Sequence, residues 1–124
     1  MIKRLAMVAG TLVLGIAGTG LAATQAWASN SSTSGCVTVY IEYESINATQ
    51  RRLNWVESRN ACGAWNGHFQ TGGVNGADTS PVQTHHVNLG GQIVNRGGCI
   101  EGVAWRNDGG GRFFELGRTC TLIA

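Results

Sequence analysis

The clearest pattern in the chain is the run Val37-Thr38-Val39-Tyr40-Ile41-Glu42-Tyr43, in which β-branched and aromatic residues dominate and odd positions are apolar. Successive side chains of a strand point to opposite faces, so this run predicts a half-buried strand with Val37, Val39, Ile41 and Tyr43 turned inward. Arg51 to Glu57, centred on Leu53, Trp55 and Val56, is a second strand candidate, with a short helix as the alternative. Ala64 to Gln70 predicts a third strand that carries Trp65 and Phe69 on one side. Thr71 to Pro81 holds Gly72-Gly73, Asn75-Gly76 and Asp78, and predicts the longest loop. Val82 to Leu89 and Gln92 to Asn95 flank Gly90-Gly91, which predicts a tight hairpin. No helical periodicity is sustained long enough to compete. The expected fold is all-β, a small antiparallel β-sandwich or barrel.

The last third of the chain carries a more specific signal. Asn107-Asp108-Gly109-Gly110-Gly111 lies between two β-prone runs and predicts a turn. Folding the chain about the Gly109–Gly110 bond opposes Trp105 to Phe114, Val103 to Leu116, Glu101 to Arg118 and Cys99 to Cys120. Aromatic, aliphatic, ionic and thiol pairs of this kind are what antiparallel neighbours favour. Directly opposed positions also bring Cα atoms into disulfide range. The chain has four cysteines, Cys36, Cys62, Cys99 and Cys120, and no CxxC spacing that would support zinc or redox chemistry. Four cysteines admit three connectivities. The hairpin favours Cys99 with Cys120, which leaves Cys36 with Cys62. Each bridge closes a loop of roughly 20–27 residues and stabilises by about 3 kcal/mol in the chain-entropy picture.

The N-terminus has a different logic. Lys3 and Arg4 precede an apolar stretch from Leu5 to Leu21, and Ala26-Trp27-Ala28 supplies a small-x-small cleavage pattern. Residues 1–28 are expected to form a signal peptide with a helical apolar segment, removed on export, so that an extracellular protein starts at Ser29. Glycines and threonines dilute the stretch below the roughly 20 strongly apolar residues of a stable span. Residues 29–35 are small and polar and are expected to form a disordered leader. Residues 36–124 then make up one disulfide-stabilised β domain. A domain of this size buries only about 60–65% of its unfolded surface, so covalent bridges matter to its margin.

Charge narrows the partners. The chain has nine Lys and Arg residues against seven Asp and Glu. Loss of Lys3 and Arg4 leaves only arginines, balanced by the acids, with no basic run. That argues against a nucleic-acid partner and against membrane attachment after cleavage.

The stretch Asn60-Ala61-Cys62-Gly63-Ala64-Trp65-Asn66-Gly67-His68-Phe69, with the later Cys99 and Ala104-Trp105-Arg106-Asn107-Asp108-Gly109-Gly110, resembles small secreted four-cysteine actinobacterial proteins of no assigned function. The resemblance covers about half of the expected mature chain. It implies an exported four-cysteine β domain and transfers no catalytic or binding residue.

Candidate chemistry is sparse. The three histidines are His68, His85 and His86. Adjacent residues of a strand face opposite ways, so His85 and His86 cannot grip one metal together, and no metal or other cofactor is expected. His68 or His86 with Glu101 or Glu115 is the conceivable acid–base pair of a small hydrolase, but no spacing brings them together. No nucleophile elbow exists, and paired cysteines leave no thiolate. Trp55, Trp65 and Trp105, with His68, are the candidate ligand-binding residues, because flat aromatic faces, Tyr40 among them, suit pyranose rings while Asn66, Asn88 and Asn95 can hydrogen-bond hydroxyls; ordinary core packing is the competing role of the tryptophans. The reading with most support is a secreted, non-enzymatic binding module for an extracellular glycan or protein. A protease inhibitor or antimicrobial protein, using Asn60–Gly63 or Thr71–Pro81 as a rigid loop, is the alternative, and a His/Glu hydrolase the third.

Overall fold

The computed structural model describes residues 27–124, and the expected signal helix lies outside them. Eight strands follow in order: β1 (Ala28–Ser34), β2 (Val37–Ser45), β3 (Gln50–Asn60), β4 (Gly67–Thr71), β5 (Val74–Asn75), β6 (His85–Asn95), β7 (Cys99–Asn107) and β8 (Phe113–Leu122). They form two four-stranded antiparallel sheets, ordered β1-β2-β3-β6 and β5-β4-β7-β8. The chain crosses between the sheets after β3, β5 and β6. The sheets face each other with β1 against β8, β2 against β7 and β8, and β3 and β6 against β4. This is a β-sandwich, as the strand pattern predicts.

The core follows the alternation of β2. Val37, Val39, Ile41 and Tyr43 are buried and meet Leu53, Val56, Phe69, Ala104, Val82 and Ile123. Gly102 lets the sheets approach closely at the centre. A Cβ at that position would stand 2.3 Å from Val39 Cγ2 and 2.9 Å from Ser58 Oγ. The core hydroxyls of Ser58, Thr71 and Thr121 are paired rather than stranded. Ser58 Oγ lies 2.7 Å from Thr71 Oγ1, which is 2.8 Å from His85 Nδ1, and Thr121 donates to the Val39 carbonyl at 2.8 Å. Such pairing removes most of the cost of burying polar atoms.

Both disulfides are those expected, Cys36–Cys62 and Cys99–Cys120. The register of the last hairpin is not. Its turn takes up five residues, since Asn107 faces Phe113, and Leu116 is an extra residue between the pairs Ala104–Gly117 and Trp105–Glu115. Glu101 therefore faces Cys120, and Val103 faces Arg118. Cys99 and Cys120 become diagonal neighbours with Cα atoms 5.3 Å apart, and Glu101 still pairs with Arg118 at 2.9 Å. Trp105 and Phe114 point to opposite faces, and Leu116 packs against the core. A bulge shifts every pair beyond it, and residue pairing alone cannot reveal one.

Two further expectations are overturned. Residues 29–34 are not a disordered leader but most of β1, paired with β2 from Ser29–Glu42 to Ser34–Val37. Their hydroxyls explain why so polar a run is ordered. Ser32 Oγ lies 2.6 Å from Thr121 Oγ1 and accepts from Thr119 at 2.8 Å, while Asn30 donates to the Leu122 carbonyl at 2.9 Å. The β1–β2 turn then rests directly on β8: Cys36 N–H donates to the Leu116 carbonyl at 2.9 Å, and a Cβ on Gly117 would lie 2.3 Å from the Ser34 carbonyl oxygen. Gly90-Gly91 is likewise no hairpin. β6 runs through it, with Leu89, Gly90 and Gly91 set against Asn54 alone, and both glycines have positive φ, 64° and 77°. Positive φ serves a bulge as well as a turn, so the glycine pair is an ambiguous signal.

Candidate ligand-binding surfaces

The outward-pointing residues of the β1-β2-β3-β6 sheet fall into rows fixed by its register. One row is Ser31, Tyr40, Glu57 and His86; the next is Ser29, Glu42, Trp55 and Asn88. Glu57 sits at the centre. It is hydrogen-bonded by Arg59 and lies 2.8 Å from His86 Nδ1. Burial alone would raise its pKa, but the hydrogen bonds from His86 and Arg59 and their charges hold the carboxyl below its ordinary value. The Arg59 guanidinium lies 4.1 Å from the centre of the Tyr40 ring, a cation–π arrangement. The His86 ring stands 5.2 Å from Trp55, and Asn54 donates to Glu42 at 2.6 Å. Each aromatic body is thus braced by a polar neighbour, and each carboxylate keeps lone pairs free for incoming hydroxyls.

The outer face of the other sheet is organised around His68, which sits opposite Trp105. His68 Nδ1 is 2.8 Å from Asp78 Oδ1, and Phe113 meets the imidazole edge to face at 5.2 Å. Trp105 Nε1 donates to Gln70 Oε1 at 3.3 Å. Arg118 holds both Glu101, at 2.9 Å, and Glu115, at 3.0 Å. Beside His68 an open cleft of about 350 Å³ is lined by Asn66, Asp78, Thr79, Ser80 and Asn107.

The four candidate residues from the sequence do not converge. Trp55 stands on one outer face, and His68 and Trp105 stand on the opposite one. Trp65 is in the β3–β4 connection, packs on Phe69 at 5.5 Å between ring centres and donates to Asn60 Oδ1 at 2.7 Å, so it closes one end of the core. His85 points inward and His86 outward, as strand alternation requires. The acid–base pairing with Glu101 or Glu115 does not form. Arg118 holds both glutamates, and His68 and His86 take Asp78 and Glu57 on opposite faces. Among the described residues, no three His, Cys, Asp or Glu side chains are gathered as metal ligands.

The loops nominated for an inhibitor are tied down differently. Ala61 to Ala64 are exposed beside the Cys36–Cys62 bridge, with the Asn60 side chain bonding to Cys62 N–H at 3.0 Å and to the Gly63 carbonyl at 3.1 Å. Thr71–Pro81 folds back on β4 through β5 and a Gly67–Thr79 bridge. Tyr40 and Asn88, both named from the sequence, do stand on the Trp55 face, whereas Glu42, Asn54, Glu57 and Arg59 are the residues that sequence reasoning passed over. The period of two that puts Val39 and Ile41 inside also puts Tyr40 and Glu42 outside, and that was the available signal. No protein-family model, curated protein or solved structure matches the chain.

Proposed function

We propose that this chain is an exported, non-enzymatic binding module that takes an extracellular glycan on the outer face of the β1-β2-β3-β6 sheet. One observation carries the reading: Tyr40, Trp55 and His86 share that face with Glu42, Glu57, Asn54 and Arg59. A pyranose offers apolar C–H faces to aromatic rings and a rim of hydroxyls to carboxylates and amides, which matches this mixture. Strands hold the side chains, so little ordering is needed on binding.

Export is supported by the signal-like N-terminus and by two disulfides, which persist in oxidising compartments. Cleavage after Ala28 would leave Ser29–Ser34 of β1 in place.

The test is a glycan array probed with the oxidised chain. Binding to one glycan class, weakened about tenfold or more by Trp55→Ala and preserved in Trp105→Ala, is the expected result. Failure to bind any glycan, or full binding by Trp55→Ala, would refute it. A protein partner is the second reading, favoured by Phe113 and Phe114, which stand 40% and 44% exposed beside the glycine-rich turn.

A further inference from the structure

We infer that the cleft beside His68 is a separate binding site for a single neutral sugar ring that presents vicinal hydroxyls. It lies on the sheet opposite to the Trp55 face and does not depend on that surface binding anything. Its walls are fixed by backbone hydrogen bonds. Gly67 and Thr79 exchange N–H···O bonds of 3.0 and 2.9 Å, and Asn107 N–H donates to the Asn66 carbonyl at 2.8 Å. The cleft volume of about 350 Å³ is at the small end for ligand sites, which suits one ring rather than an extended chain.

The polar groups are arranged in acceptor–donor neighbours. Asp78 is oriented by His68 Nδ1 at 2.8 Å on Oδ1 and by Asn107 Nδ2 at 3.4 Å on Oδ2. An ionised carboxylate has about four lone-pair sites, so Asp78 can still accept from two hydroxyls. Asn107 and Asn66 stand beside it. Asn66 Oδ1 accepts from Ser80 at 2.6 Å, which leaves the Asn66 amide N–H groups to donate. Thr79 Oγ1 is buried in the wall without a protein partner. A vicinal diol donates to a carboxylate and accepts from a neighbouring amide, and this wall offers both.

Two further features select against other ligands. Phe113 does not line the cleft but pairs with Asn107, which does, and it meets His68, which holds Asp78; its ring, 40% exposed, is thus an apolar surface next to the polar wall. Among the described residues, Asp78 is the one charged side chain that lines the cleft, which disfavours phosphate, sulfate and uronate.

The test is a ¹H–¹⁵N titration of the oxidised chain with methyl α-mannoside, methyl β-glucoside and methyl β-galactoside. At least one glycoside should give saturable shifts centred on Asn66, Asp78–Ser80 and Asn107–Gly109. Asp78→Asn should weaken that binding about tenfold, and Phe113→Ala, at an exposed position that leaves the fold intact, about fivefold. Trp55→Ala should leave it unchanged, which separates failure of this site from failure of the other face. The inference is overturned if no glycoside gives saturable shifts, if the shifts map to the Trp55 face, or if calcium chloride or methylammonium saturates the cleft while the glycosides do not.

Discussion

Replacing Gly102 with alanine probes the closest approach of the two sheets. The added Cβ would sit 2.3 Å from Val39 Cγ2 and 2.9 Å from Ser58 Oγ, against an ordinary contact of 3.4–4 Å. Val39 is fully buried and β-branched, so its methyl has no second rotamer to retreat into. Overpacking of this kind costs about 1–3 kcal/mol. For a domain of this size that lowers Tm by roughly 5–20 °C. Thermal unfolding followed by far-ultraviolet circular dichroism measures it. Gly98→Ala is the matched control, because nothing lies within 4 Å of its Cβ, and it should shift stability by no more than about 0.5 kcal/mol. Combining Gly102→Ala with Val39→Ala should destabilise less than the sum of the two, by about 0.5–3 kcal/mol of coupling. A Gly102→Ala protein that melts with the wild type would show that the sheets are not pressed together there.

Three other outcomes follow from the same geometry. Replacing Cys99 and Cys120 together by serine should lower the unfolding free energy by about 3 kcal/mol in urea titrations, since the bridge spans 21 residues of sequence separation. Deleting residues 29–34 should cost about 2 kcal/mol or more by the same measure, because it strips the β1 ladder and its hydroxyl contacts to β8; a neutral deletion would restore the disordered-leader reading. Burial, and secondarily the charge of His68, holds His85 below its ordinary pKa of 6.5. The folded chain then binds fewer protons at His85 than the unfolded chain, so stability is complete above that value and falls as pH drops through it toward the lowered folded value. His85→Asn, which preserves a polar partner for Thr71, should flatten the decline in urea midpoint as pH falls below 6.5.

Local alternation made much of the fold legible. β2 announces itself through Val37, Val39, Ile41 and Tyr43, and all four are buried. The cystine pairing was also accessible, although through a register that is off by one or two positions. What stayed hidden has a common physical cause. Bulges at Leu116 and at Leu89–Gly91 depend on how strands meet their neighbours, and a glycine pair signals positive φ without saying whether the chain reverses. β1 is polar along its length because its order comes from hydroxyl partners on β8, some 90 residues away in sequence, which no local pattern encodes.

The candidate surfaces were legible only in fragments. Trp55 was identifiable, and Asn54, Glu57 and Arg59 lie on its own strand, but Tyr40, Glu42, His86 and Asn88 come from β2 and β6, and only the register joins Tyr40 to Glu57 and His86. His68 and Asp78 are ten residues apart, on a strand and a loop. Their meeting depends on the Gly67–Thr79 bridge, which turns the loop back along β4.

The most direct measurement for the functional account is isothermal titration calorimetry of the oxidised chain against an oligosaccharide bound on the array. Wild type, Trp55→Ala and Trp105→Ala are compared under one condition. The account predicts about a tenfold or greater loss for Trp55→Ala and unchanged affinity for Trp105→Ala. Equal affinities across all three, or a loss confined to Trp105→Ala, would contradict it.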